Sequence, residues 1–197
     1  GVSWIFSTLG GSWSEIQWIL AALGVGIGFG LQEIVANFIS GLIILFERPI
    51  RVGDVVTVGN TDGIVTRIQI RATTIRNWDQ HELLVPNKEF ITGRLLNWTL
   101  SDPVIRIYIR VGVAYGSDVE RAMALVMEAA EENPLVLAEP QPRVHFEEFG
   151  DSSLQLGLRA FSAEVADRWT VTTELHQAIV RKFRAGGIVI AFPQRDV

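Results

Sequence analysis

The chain has 197 residues, no cysteine and a net charge of −5, with 48% hydrophobic residues and a mean hydropathy of +0.28. That length holds one large domain or two small ones. Lack of cysteine excludes a disulfide framework and a thiolate metal site, and the acidic balance excludes a basic nucleic-acid footprint.

The apolar excess lies at one end. From Ile16 to Phe46 only Glu33 is charged, whereas beyond Arg48 charges recur every few residues. A bilayer core of about 30 Å needs roughly 20 apolar helical residues, and residues 13–32 meet that requirement. Trp4, Trp13 and Trp18 are placed to act as interfacial anchors. A cleavable signal peptide competes with this reading, but it wants a basic n-region and no Lys or Arg precedes Arg48. Arg48 and Arg51 favour a cytoplasmic C-terminal side and are read as membrane-interface anchors, with lipid phosphate as a second contact.

Within the apolar segment, Leu23–Glu33 reads LGVGIGFGLQE, with Gly24, Gly26, Gly28 and Gly30 alternating with Val25, Ile27, Phe29 and Leu31. A phosphate loop does not fit. Phe29 or Leu31 stands where the third glycine of G-x-G-x-x-G belongs, and no Gly-Lys-Ser/Thr follows. A buried strand fits the alternation, yet the uncharged run is too long for one. A membrane helix remains. Four interior glycines cost it roughly 3–4 kcal/mol of propensity, which close packing offsets because small residues let backbones approach. Gly24 with Gly28, and Gly26 with Gly30, form two small ridges, with Ala21 and Ala22 one turn earlier. Val25 and Phe29 share a face. Repeated around a symmetry axis, this helix packs its ridges between subunits and turns Val25 and Phe29 inward as a hydrophobic gate. A plain contact between two helices, without a pore, fits the same run. Glu33 is a carboxylate between apolar runs, so it faces water or a partner. The apolar stripe resumes at Ile34, Phe38 and Leu42. That predicts a kink or break at Gln32 and Glu33 and a second, amphipathic helix near the membrane surface, with one uninterrupted helix as the alternative.

After Pro49 come short runs rich in Val, Ile and Thr: DVVTVG, GIVTRIQIRATTIRNW, HELLVP and RLLNWTL, broken by GNTDG, NWDQ and PNKEF. They predict four or five strands of a small barrel or strongly bent sheet over residues 51–103. Residues 104–197 change pattern. A strand over 104–114 leads to a helix with Ser117 as N-cap and Glu120 completing a capping box. Two strands joined at Gly150-Asp151 follow, then a helix over 168–185 with Val171, Leu175, Ile179 and Phe183 on one stripe, ending at Gly186-Gly187. IVIAFP is a final strand. The order βαββαβ is ferredoxin-like. No pattern points to catalysis. His81, His145 and His176 lack ligand spacing, and Glu131-Glu132 and Glu147-Glu148 read as solvated charge. Asn87 and Lys88 read as a turn of the β domain, with a place at an opening as the second reading.

The runs GFGLQEIVANFISGLIILFERPIRVGD, VPNKEFITGRLLNW, GVAYGSD and IAFPQ resemble the bacterial mechanosensitive channels of small conductance, the MscS family. Glu33 after Gln32 and the ILFERP ending look like its larger, potassium-associated (MscK-like) subgroup. The resemblance implies a broken, pore-lining transmembrane helix over residues 1–50, an Sm-like β domain over 51–103 and an α/β ferredoxin-like domain over 104–197. The last two would form a cytoplasmic cage with side openings. It implies a homo-oligomer, a heptamer, in the bacterial inner membrane, opened by tension and releasing ions and small solutes in hypo-osmotic shock. No cofactor, metal or nucleic-acid partner is implied. Carried over by position, the gate rings fall on Val25 and Phe29 and the packing positions on Ala21, Gly24, Gly26 and Gly28. The family's hinge glycine becomes Glu33. Family members carry at least two tension-sensing helices before the pore helix, so the chain is expected to belong to a longer protein. Two other classes compete: a membrane-tethered binding module built on Sm-like and ferredoxin-like domains, and a transporter component, which would want inverted repeats.

Overall fold

The structure, a computed structural model, describes residues 13–192. Trp4 and the Pro193-Gln194 end of the closing motif lie outside the described residues. The chain forms two compact units, Gly1–Asn97 and Trp98–Val197.

The first unit begins with α1 (Trp13–Glu47), a single helix of 35 residues. The break expected at Gln32 and Glu33 does not divide it into two helices. No proline lies between Trp13 and Glu47, and each glycine, although a poor helix former, keeps the N–H that the hydrogen-bond ladder needs. Pro49 ends the helix. A residue before proline is disfavoured in the right-handed helical region, and Arg48 leaves it with a φ of 52° while its N–H still donates to the Ile44 carbonyl at 3.0 Å. A window of 18 residues in α1 reaches a mean hydropathy of 1.8, long and apolar enough to cross a membrane. Only Ser40, Gly41 and Ile44 of the helix are buried.

Those buried residues meet a five-stranded antiparallel sheet of β1 (Val55–Val58), β2 (Thr61–Ile68), β3 (Ala72–Asn77), β4 (Glu82–Pro86) and β5 (Leu95–Asn97), in the order β4-β3-β2-β1-β5. A register shift between Val65 and Arg67 bends β2. PNKEF, read from sequence as an interruption, begins a short helix, α2 (Asn87–Thr92). The core joins Ile50, Val56, Val65, Ile75, Val85 and Phe90 to Ile44 of α1. The last turns of the apolar helix are thus part of the β domain's interior.

The second unit contains β6 (Ile105–Val113), α3 (Val119–Glu131), β7 (Arg143–Phe149), β8 (Leu154–Ser162), a 3-10 turn (Val165–Asp167) and α4 (Arg168–Gly186). Its sheet runs β6-β8-β7. The expected final strand is reduced to a bridge between Ile190 and Val113, extended by Ala114 N–H to the Val189 carbonyl at 2.9 Å and Ala191 N–H to the Gly112 carbonyl at 3.0 Å. It still lies along the free edge of β6, as a ferredoxin-like order requires. The predicted stripe of α4 is buried at all four positions, and Gly187, with a φ of 70°, closes the helix. The capping box is corrected by one residue. Asp118, not Ser117, is the N-cap, accepting from the Arg121 N–H at 2.9 Å, because Ser117 closes a turn onto the Ala114 carbonyl instead.

Candidate pore helix and its anchorage

Two halves of α1 differ in what surrounds them. In the first half, a Cβ added at Gly24, Gly26, Gly28 or Gly30 would meet nothing within 4 Å. Among the described residues, no neighbour in the chain calls for these glycines. Val25 and Phe29 lie on one face with Gly28, Gln32, Val35 and Ala36, around a shallow apolar depression. Both are open, Val25 at 59% and Phe29 at 73%. Trp13 and Trp18 are exposed as well.

The second half is docked. Glu33 Oε1 accepts from Lys88 Nζ at 2.9 Å, and one turn later Asn37 Oδ1 accepts from the Lys88 backbone N–H at 2.9 Å. Asn37 Nδ2 donates back to the Glu33 carbonyl at 2.9 Å. Beside Lys88, Asn87 is fully buried. Its Nδ2 donates to the Gln69 carbonyl at 2.8 Å, its Oδ1 accepts from the Thr73 hydroxyl at 2.9 Å, and its backbone N–H donates to the Arg71 carbonyl at 3.0 Å. Asn97, ten residues on, closes the exit of α1. Its Nδ2 donates to the Asp54 carboxylate at 2.7 Å and to the Pro49 carbonyl at 3.1 Å. Asn87 thus fixes the turn between β2 and β3 against which Gly41 lies, and Asn97 holds the chain as it leaves the helix. Arg48 and Arg51 are exposed just beyond it.

Sequence reasoning found Glu33 and its need for water or a partner, but it missed Asn37, Gly41 and Lys88 as that partner. Asn37 carried one usable signal, since it lies one turn from Glu33. Asn87 and Lys88, read as a turn, are instead the first two residues of α2, directly after β4.

The second unit has its own charged arrangement. Glu147, read as solvated, is only 14% exposed along its side chain. It lies over Gly157 on the open face of the sheet, where a side chain at 157 would displace it. It accepts from the Tyr108 hydroxyl, from Arg159 at 2.9 Å and from Arg110 at 3.5 Å. The Tyr108 hydrogen bond, with the two arginines, holds its carboxyl below the usual range against the opposing effect of burial. Between α3 and α4, Lys182 Nζ bridges Glu128 at 2.8 Å and Glu132 at 2.9 Å. Hydrogen bonds to Glu128 and Glu132 raise the lysine's pKa, and the Lys182 hydrogen bond lowers that of Glu128.

Three family models match the chain in succession: mechanosensitive ion channel, transmembrane helices 2/3, over residues 1–32; mechanosensitive ion channel, beta-domain, over 33–100; and mechanosensitive ion channel MscS, C-terminal, over 107–190. The chain belongs to the mechanosensitive ion channel family. It is 51% identical over its whole length to the mechanosensitive channel MscK of Escherichia coli, spanning 18% of that protein. It is 47% identical over 95% of its length to the miniconductance mechanosensitive channel MscM of the same organism, spanning 17% of it. An MscS family protein of Haemophilus influenzae is 51% identical over the whole chain, again across 18% of its own length. The MscS fold is matched in solved structures. Helicobacter pylori MscS gives a TM-score of 0.88 over 98% of this chain and 76% of that one, at 24% identity. Arabidopsis thaliana MSL1 gives 0.75 over 91% and 66%, at 20% identity.

Proposed function

We propose that the chain is the pore-forming portion of a homo-oligomeric channel, opened by membrane tension, that releases ions and small solutes in hypo-osmotic shock. One observation carries the reading. The glycine-rich half of α1 is apolar, exposed and, among the described residues, unmatched by any neighbour in its own chain, while its other half is docked on a β domain. A helix with that much glycine and open apolar surface needs lipid on one side and copies of itself on the other. The relatives named as mechanosensitive channels support the same activity.

In this reading Val25 and Phe29 form two stacked apolar rings, and Ala21, Gly24, Gly26 and Gly28 are the contacts between copies. Gln32 and Glu33 mark the place where the helix bends in the assembled channel. Arg48 and Arg51 meet the headgroups of the bacterial inner membrane. Residues 1–50 are the membrane part, and the β domain over 51–103 and the α/β domain over 104–197 lie in the cytoplasm. The ring has seven copies, lipid is its medium and nucleic acid is not a partner. Patch-clamp recording of the full-length protein, in cells stripped of their own tension-gated channels, tests the activity. Currents that appear with suction support it, and their absence in correctly inserted protein overturns it.

A further inference from the structure

Resting on that channel reading, we propose that Glu33 and Lys88 form an ionic clasp that positions the second half of α1 on the β domain and helps set the tension at which the pore opens. Glu33 stands between the exposed glycine-rich stretch and the buried Ser40, Gly41 and Ile44. It is the one charge between Ile16 and Phe46. A carboxylate there needs water or a partner, and Lys88 Nζ supplies one at 2.9 Å.

Lys88 is held in place before its side chain pairs. Asn87 immediately before it is buried and bonded to Gln69, Thr73 and Arg71. The Lys88 backbone N–H is bonded to Asn37. With Asn37 donating back to the Glu33 carbonyl, three hydrogen bonds close a ring through two residues of α1 and one of α2. Because the ring ties one helical turn to a fixed point of the sheet, any rotation or tilt of α1 at Glu33 must break it or carry the β domain along.

The magnitude matters. The Glu33 and Lys88 side chains are 69% and 39% exposed, and an exposed pair of this kind changes an equilibrium by about two- to fivefold. In one chain that is a minor effect. In a ring whose copies open together, the factor multiplies over the copies and moves the threshold.

The test is patch-clamp recording of the full-length channel as parent, Glu33→Lys, Lys88→Glu and the double exchange. Each single reversal sets like charges against each other, so both shift the threshold in the same direction, and the exchange returns it toward the parent. Lys88→Arg, which keeps the charge, stays near the parent. Single reversals with parental thresholds, or an exchange no nearer the parent than either single, overturn the clasp. Should a reversal fail to assemble, Glu33→Gln and Lys88→Gln replace it. A clasp makes their shifts non-additive, with the double no worse than the larger single, and additive shifts overturn it. A parent without tension-gated current sinks the channel reading itself, an outcome distinct from a parent that gates while its variants match it.

Discussion

Gly41 of α1 lies flush against Ile70 at the turn between β2 and β3. A Cβ at position 41 would overlap the Ile70 carbonyl oxygen and stand 2.7 Å from Asn87 Nδ2. The absent side chain is what lets the helix backbone touch the sheet.

Gly41→Ala sets two effects against each other. Alanine gains about 1 kcal/mol of helix propensity, but a carbonyl of the backbone has no rotamer to move into, and overpacking costs typically about 1–3 kcal/mol. The overpacking should win. The expected result is a lower melting temperature for the purified full-length protein. A melting temperature at or above that of the parent contradicts the close docking.

The glycines of the first half of α1 behave differently, because their neighbours are assigned to other copies of the chain. Gly26→Leu and Gly28→Leu should push adjacent pore helices apart and change the opening tension. Parental gating in both variants removes the packing assignment and leaves the four glycines without a role.

Val25 and Phe29 are one helical turn apart, so their rings would stack about 6 Å apart along the axis at a rise of about 1.5 Å per residue. Apolar walls of that kind exclude water even where it fits, since they offer no hydrogen bonds. Phe29→Ser should wet the pore, giving opening at lower tension or leak and slow growth at low osmolarity. Ile27→Ser, on another face, should do much less. The reverse ranking would mean that the pore-facing side is misassigned by about a quarter turn or more.

The pH dependence of the second unit follows from the directions of its shifts. Glu147 has a lowered carboxyl pKa in the folded chain, with the Tyr108 hydrogen bond as the largest cause. Its contribution to stability is therefore complete above the unfolded value of about 4.3 and is lost as pH falls through the lower, folded value. Lys182 has a raised pKa through Glu128 and Glu132. Its contribution is complete below about 10.4 and is lost as pH rises past the folded value. Hydrogen exchange of peptides from β7 and β8, corrected for intrinsic rate, should show protection falling below about pH 4. Glu147→Gln should flatten that loss. An unchanged acid limb in the variant shows that other carboxylates carry it.

What the sequence disclosed, and what it hid, separates by the range of the interaction. The buried stripe Val171, Leu175, Ile179 and Phe183 was readable because periodicity is local, and the β-rich runs after Pro49 were readable for the same reason. The undivided α1 was not. Four glycines and a glutamate weaken a helix without removing a single backbone donor, and composition cannot weigh that against packing. The Asp118 cap was missed by one residue because Ser117 and Asp118 both suit the position and only the preceding turn decides between them. The final strand is legible as a β-rich run, but its hydrogen bonding depends on the edge of β6. Glu147 looked like half of a solvated pair because its partners Tyr108, Arg110 and Arg159 come from two other strands. Lys88 is far from Glu33 in sequence, and no local pattern links them.

Ile44 belongs at once to an apolar helix and to the interior of the β domain. This has a consequence for biogenesis. The helix leaves the ribosome first and, in the channel reading, is threaded into the bilayer before the strands are made. The sheet then closes around a side chain that insertion has already set in place. Val56, Val65 and Ile75 complete their interior only by packing against that turn. A fragment starting after Glu47 would be translated with every strand intact and a cavity where Ile44 belongs, at a cost of the order of 2–5 kcal/mol for losing one large aliphatic side chain. Insertion of the first segment and maturation of the second are for this reason one process.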